Sequence, residues 1–117
     1  MNNRLITIPA SHFCEKTRWV LELTNIDFVE EGHITQLHRR PVKRVGGKGT
    51  VPVLVTAEGT FDGSEEILVW VKNQQQGSIN LFPTDEKLKA DVDRWMRLFD
   101  DELGVATRLL SYSWLFQ

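Results

Sequence analysis

Apolar residues fall along this chain in short blocks, and the spacing within each block changes from strand-like to helical. Arg4 to Ile8 is an apolar run stopped by Pro9, which predicts a buried strand. From Ser11 to about Thr24 the period becomes helical. Phe13, Thr17, Val20, Leu21 and Thr24 share one face, with Glu15, Lys16 and Glu22 elsewhere. Ile26 to Ile34, containing Asp27-Phe28-Val29, is the second strand. Thr35 to Gly49 is irregular and basic, with Pro41 and three glycines, and reads as a long loop or a poorly formed helix. Val51 to Val55 is the third strand. Ala57-Glu58-Gly59-Thr60 turns the chain into a short fourth strand, Thr60 to Asp62, making a hairpin. Ser64 caps a further helix with Ile67, Leu68 and Val71 on its core face, ended by Gln74 to Gly77.

A helix between the first two strands implies a right-handed parallel crossover, and the hairpin adds antiparallel strands. The expected fold is α/β, a small mixed four-stranded sheet flanked by helices. After a linker the character changes. Thr84 is the expected N-cap, and Asp85 and Glu86 complement the helix dipole. Leu88, Val92, Trp95, Phe99 and Leu103 follow at helical spacing, and Gly104 should interrupt or kink the helix before Val105 to Leu115. This long amphipathic element has nothing after it to pack on, so the chain is expected to stop early in an all-α domain. The expected organisation is an α/β domain over 1–76, a linker over 77–84 and a helical segment over 85–117.

Composition narrows the function classes. With 117 residues, 41% of them apolar and 26% charged, the chain has the make-up of one globular domain plus a fragment. A net charge of −2 gives no reason to expect nucleic acid or an anionic membrane as partner. The basic run from His38 to Lys48 is a local exception, but no aromatics are interleaved with it. Gly47-Lys48-Gly49-Thr50 lacks the upstream glycine of a phosphate-binding loop and a hydroxyl residue directly after the lysine. One cysteine excludes an internal disulfide framework and a Cys-rich zinc site, and it suits a reducing, cytoplasmic home. The amino terminus is too polar and short for a signal peptide, and no apolar run approaches membrane-spanning length. No metal is expected. Four tryptophans in so short a chain hint at apolar surface awaiting a partner.

Three features can carry chemistry. Ser11-His12-Phe13-Cys14 lies where a strand ends and a helix begins, a place that favours anions. A hydroxyl there can stabilise a bound thiolate. Lowering a thiol by about two units takes ~2.7 kcal/mol; one hydrogen bond to a charged group supplies roughly 1.5–3 kcal/mol. Ser11 is equally a plain helix cap, Cys14 is a packed thiol or a nucleophile, and His12 is expected in an exposed loop. Val51-Pro52 is either a strand-opening proline or a cis bond that turns the Val51 N–H and C=O toward a ligand's peptide group. In Asp62-Gly63-Ser64-Glu65-Glu66-Ile67, the glycine allows close approach and the helix start can hold a carboxylate. Glu65 or Asp62 can receive an ammonium.

Together, Ser-x-x-Cys at the first helix, Val-Pro before the third strand and Gly-Ser-Glu-Glu-Ile at the last helix resemble the thioredoxin-like domain of the glutathione S-transferase family, from about Leu5 to Val71. Phe99-Asp100-Asp101-Glu102-Leu103-Gly104, with Arg108 and Tyr112, resembles the opening of that family's bacterial helical domain. The resemblance implies glutathione as substrate, a small electrophile as its reaction partner, and a homodimer. It assigns Ser11 to thiolate stabilisation, Val51 and cis-Pro52 to the cysteinyl backbone, and Ser64 to the γ-glutamyl carboxylate. The family usually carries an acid or Gln where this chain has Gly63, which leaves Glu65 as substitute for the ammonium contact. Lys48 and His38 are the candidates for the glycyl carboxylate. Because most of the electrophile pocket belongs to the helical domain, the 117-residue chain is expected to bind glutathione and catalyse poorly.

Two alternatives remain open. Gly63-Ser64-Glu65-Glu66 also resembles the end of a glutaredoxin site, although Ser11 stands where the attacking cysteine would be. A non-catalytic binding or dimerisation module would use Trp95, Phe99, Trp114 and Leu115 as an exposed apolar surface.

Overall fold

The structure is a computed structural model that describes residues 2–74 and 80–116. The chain divides into two compact units, Met1–Ile79 and Asn80–Gln117. The expected end of the third helix beyond Gln74, the boundary at 76 and residues 77–79 of the linker lie outside the described residues.

The first unit runs β1 (Asn3–Thr7), α1 (His12–Leu23), β2 (Phe28–Gly32), α2 (Arg39–Arg44), β3 (Val53–Thr56), β4 (Gly59–Asp62) and α3 (Ser64–Gln74). The sheet order is β2-β1-β3-β4, with β1 and β2 parallel and the other two pairs antiparallel. This is the mixed four-stranded sheet that the pattern implied, in the thioredoxin-like arrangement that the family resemblance implied.

Both faces of the sheet are covered. Leu5 pairs with Leu54 and Ile6 with Val53, so alternation sends the two pairs to opposite faces. All four are fully buried. Ile6 and Val53 form a core with Val42 of α2, and α3 packs on β3, β4 and α1.

Helix α1 buries Cys14, Thr17 and Leu21, a stripe turned one residue toward Cys14 from the predicted face. It ends where Asn25 adopts φ 54, with Asn25 N–H donating to the Glu22 carbonyl (3.1 Å) and Ile26 N–H to the Leu21 carbonyl (3.0 Å). That left-handed turn satisfies carbonyls the helix leaves open. On α3, the Trp70 indole N–H donates to Glu58 Oε2 at 3.1 Å, fastening the helix to the hairpin turn.

Of the two readings of the basic segment, a long loop or a poorly formed helix, the structure has a short helix, α2, whose Val42 buries against Ile6 and Val53. Two local expectations need correction. The start of α3 is capped by backbone: the Ile67 N–H donates to the Gly63 carbonyl (3.2 Å), so Gly63 holds the cap position and Ser64 is the first helical residue. His12 opens α1 and is half-buried, not part of an exposed loop.

The second unit holds α4 (Glu86–Arg97), a π-helical segment (Leu98–Leu103) and α5 (Gly104–Leu115). Asp85, not Thr84, is the N-cap; its Oδ1 accepts from the Leu88 N–H at 3.0 Å. The helical geometry changes ahead of Gly104, which itself keeps ordinary helical dihedrals (φ −62, ψ −40). Leu88, Val92, Trp95, Phe99 and Leu103 are exposed, and the Trp95 and Phe99 rings stack 5.9 Å apart. No helix among the described residues is long and apolar enough to cross a membrane.

Candidate functional site

Strand register brings the three candidate features to one end of the sheet. Ile6 opposes Val53 and Val53 opposes Asp62, each in an antiparallel pair. The C-terminal end of β1, the N-terminal end of β3 and the C-terminal end of β4 therefore coincide. From that end the chain leaves β1 through Ser11 into α1, enters β3 through Val51 and Pro52, and leaves β4 through Gly63 into α3.

Ser11 is the N-cap of α1, in extended conformation, with its carbonyl accepting from the Glu15 N–H at 3.0 Å. Its hydroxyl makes no capping bond. It is instead a hydrogen-bond partner of the Cys14 thiol. Burial pushes that thiol up, and the Ser11 hydroxyl, the Ile8 backbone and Arg18 offset this only in part. Cys14 is fully buried. A buried thiol held in its neutral form is a poor nucleophile, which weighs against the glutaredoxin-like alternative.

The Val51–Pro52 peptide bond is cis. Ladder pairing of β3 begins at Val53, leaving Val51 beyond the last paired residue on either side. The Pro52 carbonyl accepts from the Gly63 N–H at 2.9 Å, which joins the start of β3 to the start of α3.

Gly63 has φ +98, and a Cβ built on it meets nothing within 4 Å. The glycine is thus favoured by backbone conformation and not by crowding. This gives a physical reason for a glycine where the family resemblance leads one to expect an acid or Gln. Ser64 is buried at the N-terminus of α3, and Glu65 beside it is exposed. Of the neighbouring acids, Glu66 Oε2 accepts from the Asp62 N–H (2.9 Å) and Asp62 Oδ2 from the Lys48 N–H (2.7 Å).

The basic segment reaches this end through its backbone. Lys48 is tied to Asp62, with its side chain exposed. His38 is buried, and its Nε2 pairs with the Gly49 carbonyl at 3.1 Å. His38 and Lys48 therefore converge on the loop leading into Val51. Among the described residues, Glu65 makes no comparable connection.

One network around α1 has no signature in the sequence. The Arg18 guanidinium forks onto Glu30, with Nε to Oε2 at 3.0 Å and Nη2 to Oε1 at 2.7 Å, and also contacts Glu15. The Thr7 hydroxyl donates to Glu30 Oε1 at 2.7 Å. Arg18 holds the Glu30 carboxyl below the usual carboxylate range, against an opposing push from burial. No local pattern announces this network, because Thr7, Arg18 and Glu30 lie on three separate elements.

Comparison with known proteins places this geometry in context. Residues 5–78 match the family model for the N-terminal domain of glutathione S-transferases. No match was found among curated proteins. Among solved structures, unclassified glutathione S-transferase 2 from Bombyx mori is similar with a TM-score of 0.80 and 16% identity, over 99% of this chain and 55% of that one. Poplar glutathione transferase F1 gives a TM-score of 0.76 and 18% identity, over 100% and 57%. A glutathione S-transferase from Methylobacillus flagellatus KT, solved with glutathione bound, gives 0.68 and 23%, over 85% and 49%. The chain thus spans about half the length of the solved structures it matches.

Proposed function

The chain belongs to the glutathione S-transferase family, and from that premise we propose that it binds glutathione at the sheet end just described and stabilises its thiolate for attack on a small electrophile. The observation that carries this reading is the Gly63 N–H to Pro52 carbonyl bond, at 2.9 Å. It holds Val51, which lies just outside the strand ladder, beside the N-terminus of an 11-residue helix. A peptide thiol needs both, backbone groups outside the ladder for its own backbone and an anion site for its carboxylate.

In this reading glutathione lies extended along Val51 and Pro52, whose backbone takes its cysteinyl amide groups. Ser64 and the first N–H groups of α3 hold the γ-glutamyl carboxylate. Lys48 stands toward the glycyl carboxylate, His38 supports it from within the same loop, and Glu65 stands toward the ammonium. The Ser11 hydroxyl leaves Cys14 and donates to the glutathione sulfur. With its proton released to solvent, the thiolate sulfur forms a bond to the electrophilic carbon, and the displaced group leaves with the electron pair. Pairing of two copies and a cytoplasmic setting accord with the reading, the latter because a composition with a single cysteine suits a reducing compartment.

Backbone amide shifts recorded during titration with reduced glutathione test it. Changes centred on Ser11, Val51 and the first turn of α3 are expected. Saturable binding that shifts other residues and leaves these unmoved would contradict the assigned site.

A further inference from the structure

The loop that delivers the chain to Val51 is shaped by three glycines. Gly46 has φ +92 and Gly49 has φ +112. A Cβ on Gly47 would stand 2.6 Å from Val42 Cγ1 and 3.3 Å from Val53 Cγ2. The loop lies close over the core here, and its Gly47 N–H donates to the Val42 carbonyl at 2.9 Å. One residue later the Lys48 N–H donates to Asp62 Oδ2 at 2.7 Å, a charge-assisted bond across 14 residues of sequence. Asp62 is itself fixed, because its own N–H donates to Glu66 Oε2 at 2.9 Å. A chain of two bonds thus runs from the first turn of α3 through Asp62 to the backbone of an exposed lysine. The lysine stem starts from a fixed point between two glycines that would otherwise leave it free.

We propose that Asp62 is a positioning residue: by gripping the Lys48 backbone it sets the Lys48 ammonium where it meets a carboxylate of the bound peptide thiol. The inference rests on the glutathione-binding reading above. Asp62 touches no ligand itself and acts through Lys48. Its negative charge is directed onto a backbone N–H, so the lysine side chain stays available for an anionic ligand. His38, paired with the Gly49 carbonyl, braces the other side of the same loop.

The test is a double-mutant cycle read by glutathione affinity in the full chain. Lys48→Ala keeps the backbone N–H and removes the ammonium, and Asp62→Ala removes the grip. Each should weaken binding by about tenfold, the scale of one hydrogen bond to a charged group. The double variant should lose little more than either single one, because the two act as a unit. Asp62→Asn keeps an acceptor for the Lys48 N–H and should restore affinity to within about threefold of the parent. Hydrogen exchange at the Lys48 amide should quicken in Asp62→Ala and stay slow in Asp62→Asn. Additive losses, or Asp62→Asn as weak as Asp62→Ala, would overturn the inference and leave the binding reading standing. A folded parent that binds no glutathione removes the reading itself, and this inference with it.

Discussion

The Gly63 N–H donates to the Pro52 carbonyl at 2.9 Å, joining the residue before α3 to the residue before β3. The bond holds an anion-favouring helix start beside Val51, which lies outside the strand ladder, and its donor belongs to a residue at φ +98. Geometry at this junction sets the first expectation.

Gly63→Ala should destabilise the chain by about 1 kcal/mol, since an L side chain is disfavoured at positive φ while the surrounding space is open. Urea unfolding measures this. An unchanged midpoint would mean that the turn relaxes to another conformation at no cost.

Ser11→Ala should leave glutathione affinity nearly intact and raise the pKa of the bound thiol by roughly one to two units, the loss of one hydrogen bond to a charged sulfur. Ultraviolet absorbance of the thiolate against pH reads it directly. A bound thiol that titrates identically in parent and variant would remove Ser11 from the chemistry.

Cys14 should resist alkylation. It is fully buried and its thiol is pushed up by burial, so it should react at least ~100-fold more slowly in the native chain than in denaturant. Rapid labelling of the native chain would bring the thiol-exchange alternative forward again.

Stability should depend on Glu30 in acid. Its folded-state pKa is lowered, chiefly by Arg18. Its contribution is therefore present above the unfolded value of about 4.3 and is lost as pH falls through the lower folded value. Glu30→Gln should flatten the acid limb of a thermal-melting profile and leave the slope near neutrality unchanged. A parallel acid limb in both would show that the Arg18 fork contributes nothing measurable.

How much of this was readable in the sequence varied with the kind of interaction. β1, α1 and α3 announce themselves because Pro9 stops one run and the helical stripes at Thr17–Leu21 and Ile67–Val71 are periodic. α2 does not, because its only buried residue is Val42, and that burial depends on partners in β1 and β3. Ser11, Val51, Pro52 and Ser64 were identifiable as candidates, and strand register explains why they share one end of the sheet. The Lys48–Asp62 bond has no sequence signature, since a backbone donor can belong to any residue. The same holds for Gly63: the sequence shows a missing acid, and only the backbone shows that the position takes a positive φ. In the second unit the change of helical geometry falls at Leu98–Leu103, where the apolar spacing gives no warning.

The most direct test of the central claim is calorimetric titration of the folded chain with reduced glutathione, run beside Ser64→Ala. The account predicts saturable binding by the parent and a loss of about tenfold or more in the variant, from one hydrogen bond to a carboxylate at a helix start. A folded parent that releases no heat and shows no saturation, or a Ser64→Ala variant that binds as tightly as the parent, would contradict it.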